Sequence, residues 1–451
     1  MVKAYANEST IIVGKIVNPD NKIVAIEYNH TLLDNSKTYY DKMDDNGNFR
    51  IEFNMDYPQD VKLIYGKDRL SLYLHPGDST FISFKTNNIK NSIVIQGDNA
   101  KENIQLMNFQ NGYAQLIKSE RRREQATKLD SAEYILFNNR LFLMTDSLII
   151  SLNAGQEISG WMRNYAKFDY MEELYDYGKD HKYPYDDLYY NFFNESTTNL
   201  KSNLNCTQYS EFIGMYYYYR YDILNLYEQL KEYYKIADCY SVLLTILENF
   251  QDSLNFKTKC ALAKELYFNI RIDVNSVDSI SEKYFKVISN DMIFSIVSRE
   301  IENYKTQKRK LYTLEELSKE DFIGDIFSEI KQKHLGKTIY IDGWQSCHNN
   351  YKRFPDAEKL RTELKDKEIA FVYLCTPDDN DFWIKNIEKY KIEGDNYLLS
   401  EDQKIVLYNL FNYESGTYNM IINKEGELVN IDANDPNSPN IKQELLEVIE
   451  Q

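Results

Sequence analysis

One cysteine of this chain stands where a sulfur could do chemistry. Cys347 follows an apolar run, TIYID, that ends in Asp342, and it precedes a segment with helical spacing that starts at Pro355. If this cysteine lies at the N-terminus of the helix, unpaired amides and the helix dipole stabilise its thiolate. The sequence therefore makes Cys347 a candidate nucleophile. The alternative is an ordinary half-buried thiol without a partner.

Other catalytic constellations are missing from the sequence. Its five cysteines include no CxxC pair, and their odd number and wide spacing do not form a disulfide framework. His and Cys do not occur at zinc-ligand spacing, and there is no Gly-rich phosphate loop or serine-hydrolase motif. We therefore expect no metal and no cofactor. Asp378, Asp379 and Asp381 precede a predicted helix, and we interpret them as caps of its amides.

Charge and hydropathy exclude further classes of function. The chain has 53 Lys and Arg against 70 Asp and Glu, a net charge of −17, which repels phosphate backbones. The basic runs 121–123 and 308–310 are short and have acidic neighbours, so nucleic acid is not an expected partner. The longest clean apolar run is Ile369 to Cys375, which is far too short to span a bilayer.

The pattern of the chain changes twice along its 451 residues, a length that allows about three domains. Residues 1–98 show short apolar runs broken by turn residues, which is typical of an antiparallel β-sandwich. Residues 99–325 show helical spacing, and residues 326–451 alternate between the two periods. We predict an α+β multidomain protein with a β-sandwich, an α-helical middle region and a C-terminal α/β domain.

Several local patterns refine this division. Asp44, Asn46 and Asn48 resemble the start of a calcium loop, but Phe49 stands where that loop needs Gly, so they indicate a tight turn. In the middle region, the apolar residues predicted to form helix faces include Leu136, Leu141, Leu143, Met144, Leu148, Ile149, Tyr240, Leu243, Leu244, Ile246 and Leu247. The run 216–219 is all tyrosine, and we interpret it as core or partner-facing packing.

In the last block the elements follow the order β-α-β-α-(β)-α-β-β-α, which is the order of a thioredoxin fold. The passage from Ile341 to Cys347, IDGWQSC, resembles the entry to the active site of the TlpA-like thioredoxins, and Pro355 stands eight residues beyond the cysteine, as in that family. NKEGELVNIDANDPNSP resembles its terminal hairpin. HPGD at 75–78 and GDNAKEN at 97–103 resemble pieces of the extensions on its larger, exported members.

The chain departs from this family at the residues that perform disulfide exchange. In the family a second cysteine resolves the mixed disulfide that the first one forms, and Asn350 stands in its place here. Thr417 occupies the place of the family's cis-proline, and Ser346 that of a tryptophan before the cysteine. The resemblance implies that Asp342 is the buried acid beneath the site, which assists proton transfer in the family; its alternative role is a satisfied buried carboxylate.

These departures lead to two expectations about function. The first is a thioredoxin-like protein that binds or assembles with an extracytoplasmic protein or peptide and does not turn over disulfides. The resemblance implies that it is exported and located in the periplasm or cell envelope, whereas the sequence alone leaves a cytoplasmic location open. The second is a monothiol exchanger in which Cys347 forms mixed disulfides that an external thiol resolves. We expect contact with a membrane only through an N-terminal anchor that has been removed.

Overall fold

The computed structural model describes residues 9–451, except 121, 185–187, 237, 251–253, 271–272, 309–311, 346–352, 377–379, 412 and 414–417. The described residues form three sheets and many helices, in agreement with the predicted α+β multidomain class. The domain boundaries between residues 98 and 99 and between residues 325 and 326 stay a prediction.

The strands are β1 (Thr10–Val17), β2 (Ile23–His30), β3 (Asn35–Lys42), β4 (Asn48–Phe53), β5 (Gln59–Tyr65), β6 (Asp68–Leu74), β7 (Ser79–Lys85), β8 (Val94–Gly97), β9 (Thr338–Gln345), β10 (Ile369–Thr376), β11 (Asp395–Leu398), β12 (Tyr418–Ile422) and β13 (Leu428–Asn430).

The helices are α1 (Ile89–Ser92), α2 (Ala100–Ser119), α3 (Arg122–Ala126), α4 (Ser131–Ser151), α5 (Gln156–Asp180), α6 (Gln208–Ile223), α7 (Leu226–Lys235), α8 (Cys239–Phe250), α9 (Phe256–Asn269), α10 (Val274–Ile288), α11 (Asp291–Lys308), α12 (Leu314–Leu317), α13 (Gly324–His334), α14 (Phe354–Glu363), α15 (Asn380–Tyr390), α16 (Glu401–Phe411) and α17 (Ile441–Ile449). Short 3-10 helices cover Thr86–Asn88, Leu188–Asn194, Ser196–Asn199 and Lys201–Asn205.

The N-terminal strands form two four-stranded sheets around one apolar core, in the orders β4-β1-β7-β8 and β3-β2-β5-β6. The prediction of a purely antiparallel sandwich was wrong, because β1 and β7 pair in parallel. Two parallel strands need a crossover connection. Here the chain forms the strands of the other sheet, β2, β3, β5 and β6, after β1 and before β7. Strand β3 was not predicted, since its sequence, NSKTYYDK, is polar and half exposed at the edge of its sheet.

The turn between β3 and β4 is built as the sequence predicts. Asp44 Oδ1 accepts hydrogen bonds from the backbone amides of Asn46 at 2.9 Å and Asn48 at 2.8 Å. Gly47 has a φ of 77°, which favours glycine. The carboxylate is therefore used to close the turn, which is the Asx-turn role of aspartate.

The middle helices enclose a large apolar core that is rich in tyrosine. Tyr216 and Tyr219 are buried in it, whereas Tyr218 is 61% exposed. The predicted apolar face of α4 is only partly correct: Leu141 and Ile149 are buried, but Leu136 and Leu143 are 68% and 69% exposed. Apolar residues thus occur on both sides of this helix, so hydropathy alone does not identify its inner face.

Polar contacts attach the sandwich to the helices. Asp60 on β5 is buried, and its Oδ1 accepts from Trp161 Nε1 and from the amide of Thr207, both at 2.9 Å. The two motifs HPGD and GDNAKEN meet at the same junction, where the Asn99 amide donates to Asp78. Asn103 pairs with the backbone of Tyr73 in both directions, at 2.7 and 3.0 Å. Both motifs therefore hold α2 against the sandwich.

The C-terminal sheet has the order β11-β10-β9-β12-β13. Strands β9, β10 and β11 are parallel to one another, and β12 pairs antiparallel with both β9 and β13. One face packs against α14 and α17. The other face packs against α12, α13 and α16, and this core also includes Ile23, Ala25 and Ile64 of the sandwich. The predicted elements of this region are present at their predicted places, because buried strands and helices of this length have distinct periods. None of the helices in the described ranges is long and apolar enough to cross a membrane.

Candidate functional site

The strand alternation of the C-terminal sheet gathers three polar residues in one row. Asp342 of β9 lies opposite Tyr373 of β10 on one side and opposite Asn419 of β12 on the other. Alternate residues of a strand face opposite sides of the sheet, and Tyr340 and Trp344 pack in the core beneath α14 and α17. Asp342 lies between them on the same face, so its carboxylate points toward the N-terminal end of α14.

An arginine contacts two of these polar residues. It was not predicted from the sequence as a site residue. Arg353 immediately precedes α14, and its Nη2 lies 2.7 Å from Asp342 Oδ1 and 2.7 Å from Asn419 Oδ1. Its Nη1 lies 3.0 Å from Asp435 Oδ1, which also accepts from Asn419 Nδ2 at 2.7 Å. Asp342 and Arg353 are 1% and 8% exposed. A buried carboxylate requires a partner, and that requirement is the signal by which Arg353 could have been found.

The polar network is not completely satisfied. Among the described residues, Asp342 Oδ2, Arg353 Nε and the Tyr373 hydroxyl have no hydrogen-bond partner although they are buried. Burial raises the pKa of Asp342 to about 6, against the opposing charge of Arg353 and with help from Asp435. Loss of solvation thus outweighs the ion pair, but at neutral pH the carboxylate is ionised and held by the guanidinium.

A close backbone approach accompanies the network. Gly343 pairs with Tyr418 across β9 and β12, and a Cβ on Gly343 would lie 2.2 Å from atoms of the Tyr418 ring. The ring is buried, so it has no free space into which to move. The glycine in IDGWQ therefore makes room for Tyr418, the residue after the predicted position of the missing cis-proline.

The predicted site residues are only partly described. Cys347, Asn350 and Thr417 lie outside the described residues, as do Ser346, Asp378 and Asp379. Asp342 is described and buried. The side chain of Asp381 is not described either.

The remaining cysteines are buried free thiols, namely Cys206, Cys239, Cys260 and Cys375. Burial raises the pKa of the Cys239 thiol to about 11 and that of Cys375 well above its usual range. Cys375 pairs in register with Trp344 and is 0% exposed. Within the described ranges, no three His, Cys, Asp or Glu side chains come together as possible metal ligands.

Comparison with known proteins yields solved structures only. No family model and no curated protein matches the chain. The thioredoxin domain of a thiol-disulfide oxidoreductase from Bacteroides vulgatus is 19% identical, with 26% of this chain and 83% of that chain covered and a TM-score of 0.24. A thioredoxin-like protein from Bacteroides caccae is 13% identical over 61% of this chain and 93% of its own, with a TM-score of 0.28.

A secreted disulfide oxidoreductase from Mycobacterium tuberculosis is 16% identical, with 32% of this chain and 97% of that chain covered and a TM-score of 0.21. The strand order of the C-terminal sheet, with its parallel β9 and β10 and antiparallel β12 and β13, is itself that of a thioredoxin-like domain.

Proposed function

We propose that this chain is an extracytoplasmic thioredoxin-like protein that binds a protein or peptide partner and does not turn over disulfides. The observation that carries the proposal is the buried ion pair between Asp342 and Arg353. Arg353 Nη2 lies 2.7 Å from Asp342 Oδ1, so the guanidinium occupies one carboxylate oxygen and opposes the burial that raises the pKa of this group. The acid beneath the site thus has a structural partner.

The cysteines point in the same direction. Asn350 replaces the resolving cysteine, and an amide cannot displace a sulfur from a mixed disulfide. The four described thiols are at most 6% exposed, so a substrate has no access to them without local opening. Disulfide turnover would therefore require a thiol from outside the chain.

The competing function is monothiol exchange, in which Cys347 attacks a substrate disulfide and an external thiol later releases the product. Reduction of insulin by dithiothreitol separates the two functions. We expect equal, background rates for the parent and for Cys347→Ala. Cys375→Ala is the matched control, because it removes a buried thiol from the same domain.

A rate that falls to background in Cys347→Ala but persists in Cys375→Ala would overturn the proposal in favour of monothiol exchange. A melting curve for each variant shows that the loss of rate is not a loss of fold. The extracytoplasmic location is a separate part of the proposal. It predicts release of the protein from the source cells by osmotic shock, and retention with the cytoplasmic fraction would contradict it.

A further inference from the structure

A cavity of about 440 Å³ lies in the helical region, away from the thioredoxin-like sheet. Its walls come from α5, α6, α9 and the loop before β3. The volume is in the range of pockets that hold small ligands, roughly 300 to 1,000 Å³. The apolar part of the wall is largely aromatic and includes Tyr175, Tyr217, Tyr218, Tyr267 and Phe268.

The charged groups of the cavity are unbalanced. Three carboxylates line it, those of Asp34, Glu211 and Glu265, together with two lysines. Lys264 Nζ lies 2.8 Å from Asp34 Oδ2 and also donates to the carbonyl and the hydroxyl of Ser210, so its three protons are used. Lys179 is exposed at the rim. Within the described part of the chain, Lys264 is near enough for its charge to oppose the burial that raises the pKa of Glu211 and Glu265, but its ion pair is with Asp34.

Glu265 is the inner of these two carboxylates. It is half-buried, whereas Glu211 is exposed at the mouth. Glu265 Oε1 accepts a hydrogen bond from Asn269 Nδ2 at 2.8 Å, a neutral donor that does not cancel its charge. Burial raises the pKa of Glu265, and burial followed by the charge of Glu211 raises the pKa of nearby Glu172 to about 7. Hydrogen bonds from Asn269 and Tyr217 and the charge of Lys264 oppose the shift of Glu265 but do not cancel it.

We propose that this cavity binds an organic cation, an alkylammonium or guanidinium group, with Glu265 as its counter-ion and the aromatic wall as its surroundings. An aromatic face attracts a cation through its quadrupole, and the attraction grows as water is excluded. A carboxylate adds a charge-assisted hydrogen bond to the same group. A neutral ligand of equal shape would give Glu265 no cationic group in direct contact. The proposal is independent of Cys347 and of the proposed thioredoxin-like function.

Two matched probes test the charge requirement by calorimetric titration of the full chain. N-acetyl-lysine N-methylamide carries an ammonium group, and N-acetyl-norleucine N-methylamide has the same stem without it. We expect the lysine probe to bind about tenfold more tightly or better. Equal binding of the two probes would overturn the proposal, and this comparison in the parent protein does not depend on any variant.

Glu265→Gln tests the assignment of the counter-ion. It keeps the shape and the acceptor for Asn269 but removes the charge, so we expect the lysine probe to lose about tenfold in affinity and the norleucine probe to be unaffected. Glu248→Gln, on the exposed side of α8, is the matched control and should leave both unchanged. An unchanged affinity of the lysine probe in Glu265→Gln would overturn the role of Glu265.

1,5-Diaminopentane identifies the source of the cation. Binding of both the free diamine and the lysine probe supports a basic side chain of a peptide as the ligand. Binding of the diamine alone supports a free amine, because the peptide backbone is then excluded from the cavity. If neither binds at millimolar concentration, the proposal is wrong.

Discussion

The guanidinium of Arg353 lies 2.7 Å from Asp342 Oδ1, and both side chains are buried. The two residues are eleven apart in sequence but face each other because β9 ends beneath the start of α14. The same guanidinium nitrogen also donates a hydrogen bond to Asn419 Oδ1 on the neighbouring strand. The pair thus connects two strands with a helix N-terminus.

Removal of the arginine should therefore destabilise the C-terminal sheet. We expect Arg353→Met to lower the free energy of unfolding by about 3 to 5 kcal/mol, because it leaves Asp342 as a buried charge without a partner. Hydrogen exchange of peptides from β9 and β12 localises the effect. The double variant Asp342→Asn/Arg353→Met should recover part of the loss. A fully additive double variant would contradict coupling between the two groups.

The raised pKa of Asp342 predicts how the stability of the folded protein depends on pH. Burial raises this pKa to about 6, above the value of about 3.9 in an unfolded chain. The folded state therefore binds the proton of Asp342 more tightly than the unfolded chain does. The stability gained from this protonation is fully present below pH 3.9 and is lost as the pH rises through 6. The stability of the parent relative to Asp342→Asn should fall by about 3 kcal/mol across this window. A difference independent of pH would contradict the shift.

At the junction of the sandwich and the helices, the pKa of a base, His75, is also raised, and here the raised pKa favours the charged form. Burial disfavours the charged form of His75, but hydrogen bonds to Asp78 and Glu157 outweigh it and raise the pKa to about 9. His75 Nε2 lies 2.7 Å from Glu157 Oε1 on α5. The folded pKa exceeds the unfolded value of about 6.5, so this stabilisation is complete below pH 6.5 and disappears as the pH rises through 9.

The advantage of the parent over His75→Gln should accordingly shrink by about 1 kcal/mol over that window, a figure that allows for screening of a partly exposed pair. Denaturation at several pH values measures it. Glu157→Gln should show the same weakened pH dependence, since it removes one of the two partners. If the parent and His75→Gln changed in parallel with pH, His75 would not be charged in the folded state.

The close approach at Gly343 predicts intolerance of any side chain. A Cβ there would lie 2.2 Å from the buried Tyr418 ring, so Gly343→Ala should destabilise the protein by about 1 to 3 kcal/mol. Thermal denaturation measures the change. Gly336→Ala is a useful contrast, because nothing lies near its Cβ and only its positive φ of 91° opposes substitution. Gly343→Ala should be rescued in part by Tyr418→Val; no rescue would mean that the strand backbone carries the strain.

The burial of the described cysteines predicts how many thiols react. We expect at most one of the five to react rapidly with a thiol reagent in the native protein, and all five in denaturant, since Cys206, Cys239, Cys260 and Cys375 are buried with raised thiol pKa values. Cys347→Ala should leave no rapidly reacting thiol. Two or more fast thiols in the parent would show that a described cysteine becomes accessible.

The sequence by itself determined the class of fold and the local elements, because strand and helix periods, turn residues and the order of elements in residues 338–449 are local properties. It also identified the Asp44 turn and the missing second cysteine. The sequence did not predict the polar edge strand β3 or the exposure of leucines on α4, because burial there depends on neighbours that are distant in the chain.

Only the tertiary structure decided which charges meet. Asp342, Asn419 and Asp435 converge on Arg353, and Asp34, Glu211 and Glu265 converge on one cavity, from segments separated by tens to hundreds of residues. Electrostatic interactions depend on distance and on exclusion of water, and neither quantity is encoded by spacing along the chain. The parallel pairing of β1 with β7 is likewise a choice of topology that local patterns leave open.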